Sequence, residues 1–176
     1  MPRCNAPFRL PTPSSVLEEH RLDPARHRRD AFRSGAPALD EYLRRYAAQQ
    51  SSKGVTVVHV LVDSSAPQDV LGYYTLGAAE LHVGRLAPQD ANRLPRYPVP
   101  CFRMGRLAVA ADRRGQGLGR TLLGLAVSRC LQARQSVAAY ALIVDAKHAQ
   151  AKAFYAHHGF NACVDEPLRL YLPLGR

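Results

Sequence analysis

Two periodicities alternate along this chain, and their succession predicts an ordered set of helices and strands. Between residues 34 and 50, Leu39, Tyr42, Leu43 and Tyr46 recur at i, i+3, i+4 and i+7, one stripe of a helix opened by Pro37. Arg44 and Arg45 fall on its other face, and Gly54 closes it. The β-branched run VTVVHVLVD (55–63) reads as a strand, with His59 as a packed or edge residue rather than a ligand. Ser64 to Asp69 makes a hairpin turn, and VLGYYTLGAAELHV (70–83) returns antiparallel. Residues 84–100 hold Pro88, Pro95, Pro98 and Pro100, which suits a short helical turn and then extended chain. PCFRMGRLAVA (100–110) is the next strand.

Helical spacing resumes from Leu118 to Arg134, where Leu123, Ala126, Val127, Cys130 and Leu131 share one face. VAAYALIVDA (137–146) reads as a buried strand, parallel to residues 100–110 because a helix connects the two. KHAQAKAFYAHHG (147–159) follows as a helix with Gly159 in the C-cap position, and a last strand lies near Leu168 to Leu172. Ahead of all these, residues up to Ser15 carry Pro2, Pro7, Pro11 and Pro13, an extended lead-in or first strand. Residues 17–33, with His20, Arg21, Arg26, His27, Arg28, Arg29 and Arg33, read as a short helix or ordered loop with a basic face. The fold class is therefore α/β: a mixed, mostly antiparallel sheet with one parallel βαβ crossover. No repeat, low-complexity stretch or linker divides residues 1–176, so a single domain is expected.

Charge changes this picture. Against 14 Asp+Glu stand 24 Lys+Arg, a net charge of +10, so the surface favours polyanionic partners by steering and counterion release. Cys4, Cys101, Cys130 and Cys163 have neither C-x-x-C spacing nor paired histidines at zinc-finger distance, and read as reduced structural thiols with no metal site. No apolar run is long enough to cross a bilayer, and the N-terminus lacks the apolar core of a signal peptide. A cytoplasmic protein with no membrane partner is expected.

The chemistry concentrates where the strand Leu107 to Ala110 meets a loop that opens a helix. Gly115, Gly117 and Gly119 let the backbone approach a bulky anion. The free N–H groups of the helix start point at it, and Arg113, Arg114 and Arg120 add positive charge. This is a phosphate cradle. Its spacing excludes a Walker loop, which needs Lys followed by Ser or Thr. It also excludes a Rossmann loop, which needs G-x-G-x-x-G near the first strand of a longer array.

Arg114-Gly115-Gln116-Gly117-Leu118-Gly119 matches R/Q-x-x-G-x-G/A, the signature of the GNAT superfamily of acetyl-CoA-dependent N-acetyltransferases. Ala151, Phe154, Tyr155, Gly159 and Phe160 are in register with the family's A-x-x-F-Y-x-x-x-G-F. The resemblance covers residues 30–172 and implies the GNAT fold around an acetyl-CoA site. One departure is His148, where many members have Asn three residues before the motif alanine. More narrowly, FRSGAPALDEYLRRYAAQQSSKGV, VLGYYTLGAAEL, LPRYPVPCFRMGRLAV and DAKHAQAKAFYAHHGF resemble the GNAT-type toxins of toxin–antitoxin modules. Those proteins acetylate the amino group of aminoacyl-tRNA and stop translation. They commonly dimerise and are held inactive by a ribbon-helix-helix antitoxin, through which alone operator DNA is reached.

The resemblance implies acetyl-CoA as co-substrate, with its pantetheine arm along Leu107 to Val109. A strand N–H near Leu107 is then the donor to the thioester oxygen, and the pyrophosphate lies on Gly115, Gln116, Gly117, Leu118, Gly119 and Arg120. Tyr155 is the candidate general acid, a phenol protonated at neutral pH. No general base stands out: Glu80, Asp112 and Asp145 are the only nearby carboxylates. That favours an acceptor whose α-amino group, of pKa about 7.7 to 8.0, is already largely neutral, over a lysine near 10.4. Arg44, Arg45, Arg93, Arg96, Arg113 and the cluster at 26–29 are candidates for a tRNA surface; His157 and His158 read as exposed cap residues. Acetylation of protein N-termini, lysines or small amines is the alternative within the family. A non-catalytic nucleic-acid-binding module is the alternative outside it.

Overall fold

β-branched and aromatic runs pair into one seven-stranded sheet in a computed structural model that describes residues 15–175. The proline-rich lead-in and Cys4 lie outside the described residues. The strands are β1 (Leu17–Arg21), β2 (Val57–Asp63), β3 (Gly72–Leu81), β4 (Val99–Val109), β5 (Ala141–Asp145), β6 (Asn161–Ala162) and β7 (Arg169–Pro173), in the order β1-β2-β3-β4-β5-β7-β6. Every pairing is antiparallel except β4 with β5. The helix α4 (Leu118–Ala133) makes that crossover, and α5 (Ala149–His157) connects β5 to the last hairpin.

β1 corrects the expectation of a helix or loop over residues 17–33. An edge strand needs only one pairing partner, so LEEHR, without apolar alternation, still adds to β2 from Leu17↔Asp63 to Arg21↔His59. Glu19 faces the sheet and accepts hydrogen bonds from Arg129 (2.6 and 2.8 Å) and from the Tyr74 hydroxyl. β6, two residues long, carries too little pattern to be read.

The first helix runs unbroken as α1 (Pro37–Glu41), a π-helical turn (Tyr42–Tyr46) and α2 (Ala47–Ser52). The π turn adds a residue, so the buried face continues at Ala47 and leaves Tyr46 exposed, off the stripe a regular 3.6-residue period predicts. In α4 the buried face is Leu118, Leu122, Leu123, Ala126 and Cys130, and Leu131 faces solvent.

The sheet separates two apolar layers. One side packs α4 and α5 on Tyr74, Met104, Leu142 and Leu170; the other packs Tyr42 and Leu43 of the first helix on Val60 and Tyr73, with Val99, Ile143 and Tyr171 beyond. Cys101, Cys130 and Cys163 are buried free thiols in these layers, and burial pushes Cys130 up to about 12 and Cys163 up to about 11.

Two irregularities in β4 make room for a site. Thr75 pairs with Arg106 and Leu76 with Met104, so Gly105 is an extra residue, a bulge. Without it, residues three apart on a strand lie on opposite faces. With it, Phe102, Met104, Leu107 and Val109 all pack towards α4, and Arg103 and Arg106 share the opposite side. Pairing with β5 also stops at Met104↔Val144, so residues 105–109 have no strand partner on that flank among the described residues. The two parallel strands part there and open a cleft.

Candidate active site

The cleft lies where β4 and β5 separate. Its inner part, about 140 Å³, is walled by Leu107 from β4, by Ala151 and Tyr155 from α5, and by Leu39 from α1. Leu39, Gly105, Arg106 and Lys147 also border an outer part of about 480 Å³ that reaches Gln50, Thr56 and Arg103, so the two form one passage.

α5 delivers Tyr155 because its apolar residues Ala151, Phe154 and Tyr155 turn towards the sheet and Phe160 anchors the chain beyond Gly159. The half-buried Tyr155 phenol makes no hydrogen bond among the described residues, and burial pushes it up to about 12. It is protonated at neutral pH and free to donate. A thiolate released beside it suffers the same desolvation, which raises its proton affinity too.

His148 caps α5: its Nδ1 accepts the Ala151 N–H at 3.1 Å, which leaves Nε2 as the donor in the neutral ring. Position 148 thus keeps the capping role that an Asn performs through its side-chain oxygen. His157 is exposed, while His158 bonds the Phe154 carbonyl at 2.7 Å; neither borders the cleft.

The glycine-rich loop lies at the end of β4. Gly115 and Gly117 have φ of +76° and +77°, and a Cβ on either meets nothing within 4 Å among the described residues, which leave the space above them open. Gly117 is the N-cap of α4, whose first N–H groups face this space. Gly119 does something else. It faces Phe154 of α5, from which a Cβ there would lie 3.7 Å, an ordinary van der Waals contact. Leu118 is a core residue, and Gln116 and Arg120 are exposed. Arg113 and Arg120 form no ion pair among the described residues, whereas the Arg114 guanidinium donates to the Ser34 carbonyl. A phosphate group can approach the backbone here.

The three carboxylates differ. Asp145 borders the cleft; burial opposes its ionisation, but the Arg169 hydrogen bond (2.7 Å) and the Arg103 charge outweigh it and hold the carboxyl below the usual range. It is a structural ion-pair partner rather than a poised base. Glu80 is exposed on β3, and Asp112 borders a separate cavity between residues 28–33 and 110–113.

The structure disperses the arginines named from the sequence. Arg45 pairs with Glu41 at 3.2 Å, and Arg44 lends its carbonyl to Arg29. Arg93 and Arg96 are exposed between α3 (Pro88–Ala91) and β4, and Arg113 borders the cavity beside residues 28–33. None of them borders the cleft. The cations that do are Arg103, Arg106 and Lys147, which sequence reasoning missed. The one signal was Gly105 inside an apolar strand, a mark of a bulge.

The family described as "Acetyltransferase (GNAT) domain" matches residues 58–162. A tRNA-acetylating toxin of Mycobacterium tuberculosis (strain H37Rv) is 37% identical over 143 residues, which cover 81% of this chain and 83% of the relative. The solved structure of AtaT complexed with acetyl-methionyl-tRNAfMet aligns with a TM-score of 0.84 at 27% identity, over 90% of this chain and 95% of that one. A Tyr-to-Phe mutant of the AtaT toxin, bound to the C-terminus of the antitoxin AtaR and acetyl-CoA, aligns with a TM-score of 0.77 at 26% identity, over 90% and 93%. The matched span runs from β2 through the glycine-rich loop to the Phe154-Tyr155 helix, more than half of the chain, which therefore belongs to the GNAT acetyltransferase family.

Proposed function

We propose that this chain is a toxin that transfers acetyl from acetyl-CoA to the α-amino group of aminoacyl-tRNA and so inhibits translation. The observation that carries the reading is the cleft itself. A protonated phenol stands at its inner end, its outer walls carry the cations Arg106 and Lys147, and the one carboxylate that borders it among the described residues is held in an ion pair. An acceptor amine that is already largely neutral, attached to a polyanion, suits such a passage. The tRNA-acetylating relative and the tRNA-bound structure support the same choice.

Acetyl-CoA supplies the acetyl group as a reactive thioester. The open cradle over Gly115 and Gly117 fits its pyrophosphate, which the N–H groups of Gly115, Gln116, Gly117, Leu118, Gly119 and Arg120 would hold. The unpaired flank of β4 at Leu107 to Val109 offers backbone groups to the pantetheine arm and a donor to the thioester oxygen. Tyr155 protonates the leaving thiolate, and no side-chain base acts on the amine. Arg44, Arg45, Arg93, Arg96 and Arg113 serve as outer contacts for the tRNA body.

Residues 1–176 act as one catalytic domain in the cytoplasm, as a homodimer silenced by a ribbon-helix-helix antitoxin that alone carries the complex to operator DNA. No helix among the described residues is long and apolar enough to cross a membrane. Incubation with labelled acetyl-CoA and total charged tRNA tests the activity. Label on the amino acid of charged tRNA is the expected result; label only in protein, or in small amines, overturns it.

A further inference from the structure

The Arg114 side chain is turned away from a purely anion-binding role. Its guanidinium donates to the carbonyl of Ser34, 80 residues earlier in the chain. Ser34 is buried, and both its N–H (2.8 Å) and its hydroxyl (2.5 Å) donate to Oδ1 of Asp40 in the first turn of α1. Asp40 is itself buried and has no cationic partner among the described residues, and Ser34 satisfies its Oδ1 with two donors. A second tie runs alongside, from the Ala111 N–H to the Arg33 carbonyl at 2.7 Å. Gly35 completes the joint. It turns the chain at φ +84°, and a Cβ there would lie 2.8 Å from the Arg114 guanidinium.

On either side of Asp40 stand residues that shape the cleft. Leu39 borders both of its parts, with its carbonyl fixed by the Tyr73 hydroxyl at 2.8 Å. Tyr42 lies under the Arg106 guanidinium. The glycine-rich loop and the α1 wall of the acceptor passage are therefore joined through Arg114, Ser34 and Asp40.

We propose that Arg114 is a positioning residue for the acceptor: it fixes α1, and hence Leu39 and Tyr42, to the glycine-rich loop, while the loop's backbone binds the anion without it. The proposal rests on the reading of the cleft as the acceptor site. It makes the motif arginine a determinant of acceptor recognition rather than of cofactor affinity.

The experiment compares the full-length protein with Arg114→Ala, Arg114→Lys and Ser34→Ala. Three quantities are read: CoA dissociation constant by calorimetry, amide hydrogen exchange over residues 36–46, and KM for charged tRNA. For Arg114→Ala we expect CoA affinity within twofold of the wild type, exchange over 36–46 at least fivefold faster, and acceptor KM raised at least fivefold. Arg114→Lys, which restores one donor, recovers most of both losses. Ser34→Ala, which leaves Arg114 in place, speeds the same exchange without weakening CoA. A loss of CoA affinity beyond fivefold in Arg114→Ala overturns the proposal, as does unchanged exchange over 36–46. CoA binding and exchange need no acceptor, so they decide the role of Arg114 even where wild-type protein leaves charged tRNA unacetylated, a result that overturns only the functional reading.

Discussion

The guanidinium carbon of Arg106 lies 3.6 Å from the ring centroid of Tyr42, a cation stacked on the first residue of the π-helical turn that follows α1. One face of the guanidinium is covered by the ring, and Arg106 borders the passage. A guanidinium held in this way has little rotamer freedom to lose and suits a phosphate or a base.

Arg106→Ala is expected to raise KM for charged tRNA about tenfold and to lower the salt dependence of binding by about one counterion, with KM for acetyl-CoA unchanged. Arg106→Lys keeps the charge but not the flat stacked surface, so it recovers the salt slope and little of the affinity. Steady-state kinetics at two ionic strengths checks both; an unaltered acceptor KM in Arg106→Ala removes this residue from the acceptor path.

Tyr155→Phe is expected to lower kcat by about 100-fold or more and to leave CoA binding intact, the signature of a lost proton donor. With the phenol pushed up to about 12, no alkaline fall in rate should arise from Tyr155 below about pH 10. The rate should instead climb through about pH 7 to 8, as the acceptor's α-amine loses its proton. A pH profile of kcat/KM tests this, and a descending limb near pH 8 that vanishes in Tyr155→Phe would show that the phenol ionises far earlier than its burial implies.

Much of this site was legible because its parts are local. The positive-φ glycines, the strand before them and the Phe154-Tyr155 pair all sit within short stretches whose spacing states their geometry. What escaped depends on insertions and long-range contacts. The bulge at Gly105 brings Arg103 and Arg106 to one side, and the π turn moves Tyr46 out of the core and Ala47 into it. Neither single-residue shift alters composition, and each rotates everything after it. Glu19 and Arg114 show the other limit, since their partners lie 110 and 80 residues away. β1 stayed hidden because an edge strand is specified by its neighbour.

Gly117→Ala tests the cradle. An alanine at φ +77° adopts the left-handed region at a cost of about 1 kcal/mol, and its Cβ projects into the space kept open for the anion. We expect a stability loss of about 1 kcal/mol by urea denaturation, with CoA affinity reduced at least tenfold. Gly124→Ala, at a helical glycine with no neighbour within 4 Å of the added Cβ, serves as the control and should retain CoA affinity.

Stability should fall on mild acidification, and His27 is the reason. Only 3% of this residue is exposed, its Nδ1 accepts the Asp23 N–H at 2.9 Å, and Nε2 lies 3.4 Å from His20. Burial lowers its pKa below the usual histidine value, with the His20 and Arg26 charges acting in the same direction and Asp23 opposing them. The unfolded chain protonates His27 at about pH 6.5 while the folded chain does not, so between the two values the unfolded state holds more protons. The stabilisation is complete above about pH 7 and is lost as pH drops below about 6.5, by at most about 1.4 kcal/mol per pH unit for one such group. His59, also buried and lowered by desolvation first, adds a slope of the same sign. His27→Asn keeps an acceptor near the Asp23 N–H but cannot take up a proton. Urea unfolding at pH 7.5 and 5.5 should therefore show a smaller drop in His27→Asn than in the wild type; an equal drop assigns the acid sensitivity to other groups.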